Sequence, residues 1–289
     1  MTFASILCVI DGESGSEGAL AAAFALGRRF NAYLEVLHVE PNPEDTIPLV
    51  GEGMSGVLVE QVSADLRASA ERAAAEARRL FDAQCAAGDV KPVDAEEYRA
   101  TGKFVAAWRH VTGREDRETA QRGLLFDLIV VQRPSSEADG AYAPALEAGL
   151  FETGRPVLVA PPSVGEDFGK SVVIAWRATR EASEAVSASL PVLVAASEVT
   201  VLCLKEAKSE EDDPRALVRY LALHGVEARP KVVEPSDSHG ASILAEASEL
   251  GANLLVMGAY GHSRLREFVL GGVTRSVLTS ASIPVLMAH

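Results

Sequence analysis

Three cysteines in 289 residues, with no Cys-x2-Cys pair, are too few and too scattered for a disulfide framework or a zinc ribbon. Cys8 and Cys203 fall inside apolar, strand-like runs and Cys85 on a helical stretch, so a core-filling role is expected of the first two. Basic charge is also scarce. The 27 Lys and Arg stand against 41 Asp and Glu, a formal net charge of −14, which argues against nucleic acid or an anionic membrane as the main partner. No apolar run is long enough to span a bilayer, and Met1-Thr-Phe-Ala-Ser-Ile lacks the basic region of a secretory signal, so the cytoplasm is the expected compartment. The six histidines show no metal-motif spacing. There is no Gly-x-Ser-x-Gly elbow, no Gly-Lys-Ser/Thr loop and no carboxylate pair placed to split water. Neither a metal site nor a catalytic residue is expected.

What the chain does contain is a repeat. At 48% hydrophobic it can bury a sizeable core, and its length suits two domains. Ser5-Ile-Leu-Cys-Val-Ile-Asp11 and Ser171-Val-Val-Ile-Ala-Trp176 are short apolar runs, each followed by a turn and an Ala-rich helical stretch. Tyr33-Leu-Glu-Val-Leu-His-Val39 then matches Val199-Thr-Val-Leu-Cys-Leu204. Phe126-Asp-Leu-Ile-Val-Val131 matches Ala252-Asn-Leu-Leu-Val-Met257, and Arg155-Pro-Val-Leu-Val-Ala160 matches Ile283-Pro-Val-Leu-Met-Ala288. Continuous apolar strands alternating with helices imply parallel sheets covered on both faces. Two copies of one α/β domain are therefore expected, at 1–165 and 169–289, joined by the Pro-, Gly- and charge-rich stretch 161–170. The first copy is longer, mainly through a helix expected over 57–87.

The most informative stretch is Gly258-Ala-Tyr-Gly261-His-Ser-Arg-Leu-Arg-Glu-Phe-Val-Leu-Gly271-Gly272-Val273-Thr274, between a buried strand and a helix. Glycines there let backbone N–H groups turn inward, and a helix N-terminus favours an anion. Arg264, Arg266 and Arg275 lie around it, and residues 166–289 carry 12 Lys and Arg against 16 Asp and Glu, the less acidic part of the chain.

The Gly-x2-Gly-x9-Gly spacing in this strand–loop–helix–strand context resembles the nucleotide loop of the universal stress protein family. The resemblance extends over essentially the whole chain as a tandem member. It implies two Rossmann-like domains, each with a five-stranded parallel sheet in the order 3-2-1-4-5 and a ligand crevice at the carboxyl ends of strands 1 and 4. ATP-binding members place an acidic residue at the end of strand 1, a backbone contact to adenine at the end of strand 2, and the glycine loop after strand 4. In the first copy Asp11 and Val39 fit, but Gln132-Arg-Pro-Ser-Ser-Glu-Ala-Asp-Gly140 replaces the loop. In the second copy the resemblance assigns Gly258, Gly261, His262, Gly271, Gly272, Val273 and Thr274 to the phosphates, with Leu204 at the end of strand 2. Trp176 is read as standing where the acid should be, and Gly272 replaces the usual hydroxyl residue. Thr274 is either a first-turn helix residue or a substitute hydroxyl, and Trp176 either stacks on a base or fills its space.

Two functions follow from the resemblance, with a slow ATPase as a third and weaker option. One is a stress-response regulator that binds ATP or another adenine nucleotide, or another small anion, in the C-terminal half and changes its contacts with a protein partner. The other is a nucleotide-free interaction or scaffold module with a relic glycine loop. Strand 5 of each copy, 156–160 and 284–288, is expected to meet its counterpart across a pseudo-twofold axis. The alanine-rich surface of the 57–87 helix makes a homodimer the favoured assembly over a monomer.

Overall fold

The structure, a computed structural model, describes residues 2–13, 15–42, 56–96, 102–134, 144–165, 167–205, 213–236, 238–259 and 272–289. In the first half β1 (Ser5–Val9), α1 (Ser16–Phe30), β2 (Tyr33–Pro41), α2 (Gly56–Ala87), β3 (Val105–Gly113), α3 (Glu115–Gly123), β4 (Leu128–Gln132), α4 (Pro144–Glu152) and β5 (Val157–Ala160) follow in order. The second half repeats them as β6 (Ser171–Ala175), α5 (Arg180–Val194), β7 (Glu198–Leu204), α6 (Pro214–Leu223), β8 (Ala228–Val233), α7 (His239–Glu249), β9 (Leu254–Gly258), α8 (Gly272–Ser280) and β10 (Val285–Ala288). Local chemistry sets the helix starts. The Thr179, Asp213 and Ser238 side chains accept the free N–H groups of Ala182, Arg215 and Ala241, and Pro214 adds a φ already suited to a first turn.

The ten strands form one sheet in the order β3-β2-β1-β4-β5-β10-β9-β6-β7-β8. Each half is parallel throughout and has the order 3-2-1-4-5. The expected meeting of last strands takes the form of direct pairing: β5 and β10 run antiparallel, with Leu158 opposite Leu286 and Val159 opposite Val285. A twofold relation brings one sheet edge against its own equivalent, and antiparallel pairing is what that symmetry requires. All four residues are at most 2% exposed, so the junction is core. Alternation in these strands feeds two cores, Leu158 and Leu286 into one face, Val157, Val159, Val285 and Met287 into the other, and each core crosses both halves.

The α2 helix lies over the first half. From Ala73 on it turns Ala77, Phe81 and Cys85 inward at helical spacing, and Phe81 meets the Trp108 ring at 5.4 Å. Gly12, with φ +82°, brings the loop after β1 so near that a Cβ there would lie 2.1 Å from the Ala73 carbonyl oxygen. Ala77 of the alanine-rich surface is thus buried within the chain, while Leu66 is exposed. All three cysteines are buried and free; burial pushes the Cys85 thiol up to about 11. Among the described residues no helix is long and apolar enough to cross a membrane.

Candidate functional site

Chain order reverses between β1 and β4 and again between β6 and β9, so each half opens a crevice at the carboxyl ends of those strands. Hydrogen-bond register aligns the two crevices residue by residue. Val9 pairs with Leu37 and Ala175 with Leu202, and the Ile10 and Trp176 N–H groups donate to those same partners' carbonyls at 3.0 and 2.8 Å. Trp176 is therefore the equivalent of Ile10, and the residue in the place of Asp11 is Arg177. This corrects the reading of Trp176 as the acid's replacement: its half-buried indole packs on the core shared with α1 and α5. The same register equates Gln132, opposite Ala160, with Gly258, opposite Ala288.

The first crevice is closed by its own side chains. Asp11 Oδ1 accepts from the Glu13 N–H at 2.7 Å and the Ser16 hydroxyl at 3.1 Å, and Oδ2 accepts from the Gln132 amide. The fully buried Ser16 hydroxyl also lies 2.8 Å from Gln132 Oε1. Gln132, a side chain where the second half has glycine, thus ties β4 to β1 across the mouth. Two more carboxylates lie on the helices that follow β3 and β4. Glu147, in the first turn of α4, has its carboxyl pushed up by burial. Glu115 opens α3 and accepts the Ala145 N–H. Burial first, and the charge of Asp11 second, push its carboxyl up to about 7.

That shift has a measurable sign. Between the ordinary 4.5 and about 7 the folded chain keeps a proton that the unfolded chain has released, so stability falls as pH rises through this window and levels off above it. Glu115→Gln keeps an acceptor for Ala145 and is expected to raise the melting temperature at about pH 8 while leaving it unchanged near pH 4.5. Thermal melts across that range check it; a gap between wild type and variant that does not widen with pH would contradict the assignment.

The second crevice is built differently. A Cβ on Gly258 would lie 2.5 Å from the Ala182 nitrogen, so the end of β9 and the first turn of α5 touch backbone to backbone. Leu202 accepts from Trp176, and Leu204, two residues on, aims its backbone groups to the same side, past the end of β6. Gly272 is exposed, and among the described residues nothing lies within 4 Å of where its Cβ would be; Val273 is half-buried, and Thr274, in the first turn of α8, is 4% exposed. Gly261, His262 and Gly271, with Arg264 and Arg266, lie outside the described residues.

Charge separates the halves most sharply. α4 and α8 have equal length and equal distance to the strand that follows, which makes Glu147 and Arg275 equivalents. Glu115 and His239 are each the first residue of their helix, after the caps Arg114 and Ser238. Asp11 and Glu147 in the first half thus stand where Arg177 and Arg275 stand in the second. Sequence matching of the strands missed this inversion; counting back from the last strand of each half finds the Glu147–Arg275 pair. Among the described residues no group of His, Cys, Asp and Glu is placed to hold a metal ion.

Comparison with known proteins agrees with this architecture. The profile of the Universal stress protein family matches residues 2–137 and 174–289. A universal stress protein from Archaeoglobus fulgidus DSM 4304 superposes with a TM-score of 0.69 at 17% identity, over 98% of this chain and 95% of that one. A putative universal stress protein from Pseudomonas aeruginosa UCBPP-PA14 gives 0.56 at 17% identity, over 98% and 92%. At such identities the likeness is one of fold. Universal stress protein Slr1230 from Synechocystis sp. is 59% identical over 34 residues, a match spanning 12% of each protein's length. With the profile matching both repeats of the α/β unit, the chain belongs to the universal stress protein family, as two tandem copies of its domain.

Proposed function

We propose that this protein is a stress-response regulator that binds an adenine nucleotide in its C-terminal half. The observation that carries the reading is the charge inversion: the second half has Arg177 and Arg275 where the first has Asp11 and Glu147. A phosphate is stabilised by the first pair and repelled by carboxylates. Gly258 and the first turn of α8 supply backbone N–H groups and a helix dipole of the matching sign. Losing the hydroxyl at Gly272 removes one charge-assisted hydrogen bond, about 1.5–3 kcal/mol, which weakens phosphate binding without abolishing it. Occupancy then changes the surface offered to a protein partner in the cytoplasm, and a homodimer through another surface is compatible with the fold.

Mass spectrometry of small molecules released from freshly purified protein tests the reading. Retained adenine nucleotide is the expected result. Repeatedly empty protein that also fails to take up millimolar ATP supports the nucleotide-free interaction module instead.

A further inference from the structure

Two elements bracket the glycine stretch of the second half, the chain leaving β9 and the helix α8, and the first half holds both. Ala259, the residue after β9, donates its N–H to the Ala288 carbonyl at 2.9 Å, and its own carbonyl accepts from His289 Nδ1 at 3.1 Å. The His289 ring stands edge-on against Phe151 of α4, with centroids 4.9 Å apart and planes at 78°. At the far end of α8, the carbonyl of Ala281 accepts from the guanidinium of Arg133, the residue after β4. That cation lies at the negative end of the α8 dipole.

These holds run one way. A true twofold interface shows each contact twice, once from each side. Arg133 and Ala259 are equivalents, because their N–H groups donate to the matching Ala160 and Ala288 carbonyls. The match of α4 and β5 with α8 and β10 makes Thr279 the equivalent of Phe151 and Pro161 that of His289. Ala259 has only a methyl where Arg133 has its guanidinium, Pro161 has no N–H to donate, and the Thr279 hydroxyl turns to the Arg275 and Ser276 carbonyls of its own helix.

We infer that Arg133 and Phe151 are positioning residues for the nucleotide site of the other half, Arg133 acting through α8 and Phe151 through His289 on the chain leaving β9. The half whose own crevice is closed thus serves as the frame on which its twin's phosphate-binding elements are set. This rests on the nucleotide reading proposed above.

The test is calorimetric titration of ATP into the full-length wild type and variants, with ligand-free melting curves to check folding. Arg133→Met and Phe151→Ala are each expected to weaken ATP by about fivefold to tenfold, the scale of one lost supporting contact, with one site per chain retained. Arg133→Lys, which keeps a charge and a donor, should recover to within about twofold of wild type. Phe151→Ala combined with His289→Ala should lose no more than His289→Ala alone, because the two act through one contact. Phe151 is 41% exposed, so its variant decides the matter if Arg133→Met fails to fold. Wild-type affinity in either folded variant, a loss in Arg133→Lys equal to that in Arg133→Met, or additive losses at Phe151 and His289 would overturn the inference and leave the nucleotide reading standing. Failure of wild type to bind ATP overturns both.

Discussion

Gly258→Val is expected to lower the stability of the protein by about 3 kcal/mol or more and to remove nucleotide binding with it. The new Cβ would meet the Ala182 nitrogen at 2.5 Å and the Glu181 carbonyl carbon at 2.8 Å. Both are backbone atoms in the first turn of α5, and no rotamer change relieves the contact. Separating β9 from α5 disturbs the core between them, because Val256, on β9, and Ala185 and Val186, on α5, belong to the same buried cluster. Gly258→Ala should be nearly as damaging, since the offending atom is the Cβ itself. Gly272→Ala is the matched control, with no described atom within 4 Å of the added methyl and an expected change within about 1 kcal/mol. Denaturant melts separate the three. An unaffected Gly258→Ala would show that the close approach of β9 and α5 is not required.

Arg275→Glu is expected to weaken adenine nucleotide binding by about tenfold to a hundredfold at low salt, with the loss shrinking as salt is raised. The substitution installs in α8 the residue that α4 carries at the same place, Glu147, and so turns attraction for a phosphate into repulsion. Arg275 is exposed, which keeps the effect on folding small and makes the binding change readable. Titration by fluorescence or calorimetry at two ionic strengths gives the result. An affinity and salt dependence equal to wild type would remove Arg275 from the phosphate's surroundings.

Most of the fold was readable because parallel strands buried on both faces appear as unbroken apolar runs. The apolar run at 199–204 is the strand Glu198–Leu204 in the structure. Pairing of the last strands was what the resemblance to the family implied. The candidate site was less readable, for three physical reasons. Matching apolar runs fixes a strand to within about one residue, and the acid's position needed the backbone hydrogen bonds of Ile10 and Trp176, which moved it from Trp176 to Arg177. The plug of Gln132 on Asp11 and Ser16 joins residues far apart in the chain, and nothing local in the sequence marks it. Finally, the alanine stripe of α2 carries no sign of which surface it meets, and part of it meets the loop after β1 instead of a second chain.

The central claim is that one half of this tandem protein binds a nucleotide and the other does not, and the stoichiometry of binding measures it most directly. Isothermal titration of the full chain with ATP, alongside Asp11→Ala and Arg275→Glu, is predicted to give one site per chain. Asp11→Ala should leave that site unchanged and Arg275→Glu should weaken it. Two sites per chain, or a single site abolished by Asp11→Ala and untouched by Arg275→Glu, would contradict the account.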